Sequence, residues 1–265
     1  MKSVRPKKNL GQHFLTDLGV ARRIADTVDA APALPVLEVG PGMGVLTQFL
    51  LPKGRPVKVV EIDRESVAYL RERWPELREN ILGEDFLRMD LWRVFGGEPF
   101  VLTGNYPYDI SSQIFFKMLD NRELIPCCTG MVQREMAERI AARPGTKAYG
   151  ILSVLLHLWY DVELLFTVPP GVFNPPPKVQ SAVVRLTRNE VRDCGCDEAL
   201  LKRIVKGTFQ QRRKMLRVSL RPVLSQLAGG RDWSGFLASG GLTRRPEQLA
   251  VADFVQLTND IAAHI

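Results

Sequence analysis

The sequence has few of the residues from which metal sites and disulfide frameworks are built. Its 265 residues include four cysteines and three histidines. The cysteines occur as Cys127-Cys128 and Cys194-Gly195-Cys196, and neither pair has the C-x-x-C spacing of a zinc site. No histidine is placed as a metal partner. We therefore predict no metal site and four free thiols.

Long apolar stretches are also absent. The sequence contains no run of roughly 18 or more apolar residues, so we expect no membrane-spanning helix. Residues 1–8 lack the apolar segment of a signal peptide, so a cytoplasmic location is the expectation. Because 45% of the residues are hydrophobic, the chain can form one large core and a smaller second domain.

Acidic residues are missing from two stretches of the chain. Residues 1–8 carry four basic side chains and residues 202–221 carry eight, and neither stretch contains an acid. The whole chain has a net charge of +7, so the remaining residues carry a net charge of −5. A solvated helix face usually mixes both signs. Two basic regions on an acidic body instead favour a polyanionic partner, and we prefer nucleic acid.

A glycine-rich turn follows the first strand-like segment. The strand over 36–39 leads into Gly40-Pro41-Gly42-Met43-Gly44 and then into a helix from Val45 to about Leu51. Strand, turn and helix in this order are typical of the nucleotide-binding start of a Rossmann-like sheet, although the G-x-G-x-G spacing is a weak signal by itself. Glu38, just before the turn, would repel a pyrophosphate. It suits a ligand with a cationic end, such as S-adenosylmethionine.

Acidic side chains also follow the next two predicted strands. Glu61 lies at the end of the second strand, where an acid can bind ribose hydroxyls, and Asp63 is the local alternative. Asp85 and Phe86 follow the third strand and could bind an adenine amine and cover its ring. Because ligands bind at the carboxyl ends of strands in open α/β sheets, we expect these residues to share one site.

The fourth predicted strand ends in Asn105-Tyr106-Pro107-Tyr108. The Asn105 amide oxygen and the Tyr106 carbonyl can each accept a hydrogen bond from an exocyclic amine, which would make its nitrogen nucleophilic. Pro107 fixes the backbone, and Tyr108 offers a ring on which an extruded base can stack. The alternative is a strand-end turn with a packed aromatic. This loop follows a strand end, as do the predicted cofactor residues, and this common position favours a site that methylates an amine.

Two segments outside the sheet are candidates to close this site. Residues 9–17 either fold over the pocket or pack Phe14 and Leu15 on the core. The proline-rich segment 169–178 connects two strands of a predicted hairpin. It either holds Phe173 as the second ring of the base site or uses Phe173 to anchor the loop.

The last third of the chain predicts a separate helical domain. Polar residues from 187 to 196 indicate a linker, so we predict a methyltransferase domain over 1–187 and a helical RNA-binding domain over 197–265. Basic residues recur there near a period of 3.6, and Gly207 is expected to interrupt their helix. The predicted fold class is α/β, with a Rossmann-like sheet and a second, all-helical C-terminal domain.

Six motifs in order carry a resemblance to a known family. The motifs are Leu10-Gly11-Gln12-His13-Phe14-Leu15, Glu38-Val39-Gly40-Pro41-Gly42, Asn105-Tyr106-Pro107-Tyr108, Lys147-Ala148-Tyr149-Gly150, Phe173-Asn174-Pro175-Pro176-Pro177-Lys178-Val179 and Gln211-Arg212-Arg213-Lys214. With them the sequence resembles the small-subunit ribosomal RNA adenine dimethyltransferase family (bacterial KsgA type) over nearly its whole length. Two positions depart from the commonest pattern, because His13 stands where Asn is frequent and Tyr106 where Leu is frequent.

The resemblance implies methyl transfer from S-adenosylmethionine to N6 of two adjacent adenosines near the 3′ end of small-subunit (16S) rRNA. It implies a role in small-subunit biogenesis, with the small ribosomal subunit as partner; a monomer is the default. It assigns cofactor contacts to His13, Leu15, Glu38, Gly40, Gly42, Glu61, Asp85 and Asn105. It assigns the base site to Asn105, Tyr106, Pro107, Tyr108 and Phe173, and RNA phosphate contacts to Arg212, Arg213, Lys214 and Arg217.

Three other functions stay open at this point. A large-subunit rRNA methyltransferase of the antibiotic-resistance type would share the catalytic loop, although Tyr149-Gly150 and the triple proline favour the small-subunit substrate. A DNA or protein-glutamine methyltransferase would usually have proline in place of Tyr106. A mainly non-catalytic ribosome assembly factor is the third, and that role can coexist with catalysis.

Overall fold

The computed structural model describes residues 4, 6–7, 12–227 and 231–265, which form two compact units. The first unit takes in the described residues up to Ala137 together with Asp161–Arg188, and the second takes in Glu138–Tyr160 and Asn189–Ile265. The sequence analysis expected a single break between 187 and 197. The structure differs because Glu138–Tyr160 includes an apolar helix that packs on the helices of the second unit.

Within the described residues, nine strands form two sheets. The strands are β1 (Phe14–Leu15), β2 (Val36–Val39), β3 (Val57–Val60), β4 (Ile81–Leu82), β5 (Val101–Thr103), β6 (Cys127–Gln133), β7 (Tyr160–Val168), β8 (Phe173–Asn174) and β9 (Ser181–Arg188). The large sheet has the order β4-β3-β2-β5-β6-β9-β7, and β1 pairs with β8 in a small antiparallel sheet.

Strands β4, β3, β2, β5 and β6 are parallel, and β9 is antiparallel to β6. The runs Val36–Val39 and Val101–Thr103 are buried throughout, as expected for parallel strands covered on both faces. From β2 the chain proceeds outward through β3 to β4, and then returns to place β5 on the other side of β2. The crevice at such a reversal is where open α/β sheets bind ligands.

Five helices begin in the first unit and six lie in the second, within the part of the chain that the structure describes. The first set is α1 (Leu18–Asp26), α2 (Thr47–Leu50), α3 (Arg64–Arg73), α4 (Ser111–Asp120) and α5 (Arg134–Ile140). The second set is α6 (Ile151–Trp159), α7 (Glu198–Phe209), α8 (Leu216–Ser219), α9 (Arg221–Leu227), α10 (Ser234–Ala238) and α11 (Val251–Ala262). No helix in the described ranges is long and apolar enough to span a bilayer.

Local sequence explains where α1 and α3 begin, but it does not explain Gly207. Asp17 and Asp63 accept hydrogen bonds from backbone N–H groups in the first turns of α1 and α3, which is how aspartate caps a helix. The prediction that Gly207 interrupts a helix is wrong, because α7 runs through it without a break. A Cβ at Gly207 would collide with Val223 of α9. The glycine is therefore explained by close helix packing.

Candidate active site

A cavity of about 230 Å³ opens at the carboxyl ends of β2, β3, β4 and β5. Its walls contain nine of the residues that the sequence analysis assigned to cofactor or base: His13, Gly40, Gly42, Glu61, Asp85, Asn105, Tyr106, Pro107 and Tyr108. The order of the strands brings these residues together, although they are spread over 96 positions of the chain. The predicted cofactor and base regions are therefore two parts of one cavity.

Glu61 holds the glycine-rich turn in place. Its carboxylate accepts a hydrogen bond from the Gly42 amide at 3.0 Å and another from the Asp63 amide at 2.9 Å. Gly40 and Gly42 have φ values of 66° and 56°, which favour glycine. Burial raises the pKa of Glu61, while the two amide donors oppose the rise. The side chain thus fixes the turn and also faces the cavity.

Glu38 lies behind the turn and does not line the cavity. Only 2% of it is exposed, and its carboxyl group accepts a 2.6 Å hydrogen bond from the Thr47 hydroxyl. Burial raises its pKa to about 8, against an ordinary value of 4.5. The structure therefore pairs Glu38 with Thr47, and a contact between Glu38 and the cofactor stays a prediction.

The far wall of the cavity carries Glu84 and Asp85, which follow β4. Asp85 Oδ1 accepts a hydrogen bond from the Leu87 amide at 2.9 Å, which fixes its side chain. Ile62 lines the same region with 55% of its surface exposed. Carboxylates suit a ligand that carries hydroxyl or amine groups, and the apolar side chain beside them suits a flat ring on the same ligand. Within the described ranges, no three His, Cys, Asp or Glu side chains are arranged to hold a metal ion.

Asn105 is oriented by the N-terminal segment. Its amide nitrogen donates a hydrogen bond to the His13 carbonyl at 3.1 Å, and its backbone forms an isolated bridge with Met131. Because the nitrogen is engaged, the amide oxygen is the atom available as an acceptor in the cavity. The catalytic role of Asn105 stays a prediction.

The Tyr106 side chain points into the core of the first unit. It is 1% exposed, and its hydroxyl donates a 2.9 Å hydrogen bond to the Thr129 carbonyl. Gly130, inside β6, leaves room for the ring, because a Cβ there would come within 2.8 Å of it. The buried ring leaves the backbone as the part of residue 106 that can act in the cavity. A glycine within a strand pattern was the signal for this close approach.

Tyr108 stacks on His13. The two ring centroids are 5.5 Å apart with an interplanar angle of 26°, and the Tyr108 hydroxyl lies 2.5 Å from the Ser181 hydroxyl. His13 Nδ1 is 2.8 Å from the Pro175 carbonyl oxygen. The sequence analysis did not identify Ser181 or the stacking of His13, because both depend on segments far apart in the chain.

Phe173 and Leu15 do not reach the cavity, which corrects two predictions. They are paired across β1 and β8, and they are 4% and 3% exposed. Both belong to an apolar cluster with Ile24, Leu46 and Val183. Burial of large apolar side chains there explains the placement. Phe173 anchors its loop, which was the alternative that the sequence analysis gave for it.

The N-terminal segment contributes further residues that sequence reasoning missed. Gln12 and Phe14 line the cavity on either side of His13. Lys7 forms ion pairs with Asp63 at 2.6 Å and Glu65 at 3.0 Å. The motif residues Leu10 and Gly11, and the basic residues Lys2, Arg5 and Lys8, lie outside the described residues. Residues 12–14 therefore lie over the pocket, as in the first alternative for this segment, while Leu15 packs on the core, as in the second.

The predicted RNA-contact residues of the second unit have two different environments. Arg212 is held within the unit, because it donates to Glu247 Oε2 at 3.0 and 2.8 Å and to the Lys147 carbonyl at 2.9 Å. Arg213, Lys214 and Arg217 are exposed. The RNA contact of Arg212 stays a prediction, and its acidic partner, 35 residues away, could not be seen from local patterns.

The chain is similar to several known proteins. The family model described as "Ribosomal RNA adenine dimethylase" matches residues 4–232. A protein of Bacteroides fragilis named "Ribosomal RNA small subunit methyltransferase A" is 66% identical, over 98% of this chain and 94% of its own length. A dimethyladenosine transferase structure from Plasmodium falciparum covers 95% of this chain and 98% of its own, with 26% identity and a TM-score of 0.79.

A structure of the 23S rRNA methyltransferase ErmE is also similar, with 28% identity and a TM-score of 0.65 over 93% of this chain and 99% of its own. The identity to ErmE, 28%, is much lower than the 66% identity to the small-subunit methyltransferase of Bacteroides fragilis. The family match covers far more than half of the chain. This protein belongs to the ribosomal RNA adenine dimethylase family.

Proposed function

We propose that this protein transfers methyl groups from S-adenosylmethionine to N6 of two adjacent adenosines near the 3′ end of small-subunit rRNA, giving N6,N6-dimethyladenosine. The observation that carries this proposal is the shared cavity of Glu61, Asp85 and Asn105. Acids suited to a nucleoside and an amide suited to an exocyclic amine face the same space. The relatives named for small-subunit methylation support the choice of substrate.

The cavity fits S-adenosylmethionine by the chemistry of its lining. Glu61 offers a carboxylate at the ribose position, Asp85 offers one to the adenine amine, and Ile62 offers an apolar contact. The buried Glu38, beneath the turn, supports the amino-acid end. When bound there, S-adenosylmethionine would supply an electrophilic methyl group on a cationic sulfur.

The catalytic loop acts by orientation and hydrogen bonding. The Asn105 amide oxygen and the Tyr106 carbonyl accept hydrogen bonds from the target amine, which draws its lone pair out of conjugation with the ring. No side chain needs to act as a strong base, because the nitrogen loses its proton to solvent after it has become cationic. Repetition gives the dimethylated product, so the site must accept an amine with one hydrogen already replaced.

One face of the Tyr108 ring is covered by His13, which limits where the target base can stack. At a centroid separation of 5.5 Å, the rings of His13 and Tyr108 are in direct contact. A base therefore cannot lie between them as they stand. In our proposal the base either displaces the His13 ring or stacks on the other face of Tyr108.

The second unit would bind ribosomal RNA through exposed basic residues. Arg213, Lys214 and Arg217 are exposed on a stretch without acids, so they can approach phosphates without competition from the same stretch. Replacing Arg213 and Lys214 by Ala should make subunit binding less sensitive to salt. The slope of the logarithm of the binding constant against the logarithm of the salt concentration should become less negative by about 0.7–0.9 for each phosphate contact that is lost. The exposed Arg71 of the first unit, replaced by Ala, is the control.

The reaction itself is tested with radiolabelled S-adenosylmethionine and unmethylated small subunits, followed by mapping of the labelled nucleotides. We expect label on two adjacent adenosines near the 3′ end of the small-subunit RNA, and none with Asn105→Ala. Label found only in large-subunit RNA would show that the substrate is large-subunit rRNA and would refute the proposed small-subunit substrate. Full activity of Asn105→Ala would reject the catalytic role of Asn105.

A further inference from the structure

Two half-buried cysteines face each other in the second unit. Cys194 and Cys196 are free thiols whose sulfur atoms lie 3.8 Å apart. The Cys194 thiol also donates a hydrogen bond to the Cys196 carbonyl at 3.2 Å. A disulfide has an S–S distance of about 2.05 Å, so the sulfurs need to approach by less than about 2 Å to form one.

The residue between them makes this approach feasible. Gly195 has a φ of 74°, a left-handed conformation that turns the chain sharply and brings the two cysteines onto one side. The turn is held from both directions, because the Gly195 amide donates to Asp193 at 2.8 Å and its carbonyl accepts from Asn259 of α11 at 2.9 Å. Ring closure therefore needs side-chain rotation more than backbone rearrangement.

The other two cysteines provide an internal comparison. Cys127 and Cys128 are consecutive in β6, so their side chains point to opposite faces of the sheet. They are 2% and 0% exposed, and burial raises their pKa values to about 11 and about 12. Buried thiols of this kind are inert. Any oxidation of the native protein should therefore be confined to the Cys-Gly-Cys turn.

We propose that Cys194 and Cys196 are a modification site that closes to an intramolecular disulfide by exchange with a small disulfide of the glutathione class. The thiolate of Cys194 attacks one sulfur of the small disulfide and releases one molecule of small thiol. The thiolate of Cys196 then attacks the Cys194 sulfur and releases the second. Two protein thiols are oxidised, one small disulfide is reduced to two thiols, and no other oxidant is required.

The order of the two attacks follows from the environment of Cys196. Burial is the first cause that raises the pKa of Cys196, to about 12, and the hydrogen bond and charge of Cys194 raise it further. A thiol of high pKa holds little thiolate and is the poorer first nucleophile. Once the Cys194 sulfur is in a mixed disulfide, its contributions disappear and Cys196 can complete the ring.

The site lies at the beginning of the basic helix α7. Asp197, next to Cys196, accepts a hydrogen bond from the Leu200 amide at 3.0 Å and caps this helix. A ring of so few residues is strained, and strained or exposed disulfides are the ones that small thiols reduce readily. The modification is therefore reversible, and it places a redox-dependent disulfide directly before the first turn of α7.

The full-length reduced protein is incubated with increasing ratios of oxidised to reduced glutathione, then denatured, alkylated and peptide-mapped by mass spectrometry. We expect the number of alkylated cysteines to fall from four to two. The peptide with Cys194 and Cys196 should lose two hydrogens, and dithiothreitol should restore both thiols. Alkylation of all four cysteines at every ratio would overturn the proposal.

The variant Cys196→Ser separates ring closure from simple thiol modification. In Cys196→Ser, which lacks the second nucleophile, glutathione should stay attached to Cys194. In the unmutated protein this adduct should not accumulate. A stable glutathione adduct on the unmutated protein, or a disulfide-linked dimer on a non-reducing gel, would refute the intramolecular site.

Discussion

Replacing Glu61 by Gln tests how the cofactor end of the cavity works. The carboxylate accepts hydrogen bonds from the Gly42 and Asp63 amides, so both oxygens already have donors. Glutamine keeps the shape but turns one oxygen into an NH₂ group. A backbone amide then faces another donor, which costs about 1–3 kcal/mol of stability, and a ribose hydroxyl loses a charged acceptor worth about 1.5–3 kcal/mol.

The second loss predicts a rise of roughly tenfold to hundredfold in the dissociation constant for S-adenosylmethionine, since about 1.4 kcal/mol corresponds to a factor of ten. Calorimetric titration measures it, together with turnover at saturating cofactor. We expect turnover to change little, because Asn105 and Tyr106 are intact. The matched control is Glu84→Gln, which lines the same cavity but has a side chain 44% exposed, and whose ion pair with Arg93 is long, at 3.9 Å.

A cofactor analogue without ribose hydroxyls makes the test specific. The unmutated protein should bind the analogue roughly tenfold to hundredfold more weakly than the natural cofactor. Glu61→Gln should bind the two with similar affinity, because the group that recognises the hydroxyls is already impaired. If removal of the hydroxyls weakened binding of both proteins by the same factor, Glu61 would not be their partner and the reasoning would fail.

Three further substitutions test the supporting structure. Between pH 4.5 and about 8, Glu38 is protonated in the folded protein and loses this proton when the protein unfolds. The free energy of unfolding, measured with denaturant, should therefore fall as the pH rises through this range, by up to about 1.4 kcal/mol per pH unit. Glu38→Gln should remove that slope. Tyr106→Phe should lower the free energy of unfolding by about 1–3 kcal/mol while methylation continues, since only the backbone acts; loss of activity in folded protein would contradict this. Gly44→Ala should destabilise the protein in urea titrations, because its φ is 76° and a Cβ would collide with Trp74; an unchanged midpoint would contradict it.

Local patterns predicted the elements that place the active site. The runs at 36–39, 57–60 and 101–103 are apolar and rich in β-branched residues, and each forms a strand at the predicted position. Their carboxyl-terminal residues were expected to meet because parallel strands align their ends. Residues at the strand ends, such as Glu61 and Asn105, could therefore be assigned to one cavity before any contact was known.

The roles of aromatic rings were less predictable. Nothing in the local sequence distinguishes Phe173, which is buried in an apolar cluster, from His13, which stacks on Tyr108. Which ring reaches the cavity depends on the pairing of β1 with β8, two segments separated by more than 150 residues. For the same reason, the burial of the Tyr106 ring beside Gly130 could not be seen from the Asn105 loop alone.

Charge patterns show the same division. The sequence established that residues 202–221 are basic without acids, which is a property of composition. It could not show that Arg212 forms an ion pair with Glu247 while Arg213 is exposed, because that depends on how a distant turn folds back. Likewise, the Cys-Gly-Cys spacing was visible, but the facing of the two sulfurs depends on a left-handed glycine held by α11.

The sequence by itself thus determined the family, the parallel strands and the candidate site residues that stand at their ends, because these follow from short-range patterns. Only the tertiary structure decided which side chains share a surface: His13 with Tyr108, Lys7 with Asp63, Arg212 with Glu247. The physical reason is that hydrogen bonds, ion pairs and ring contacts act over a few ångströms, and folding brings within that range residues that are far apart in the chain.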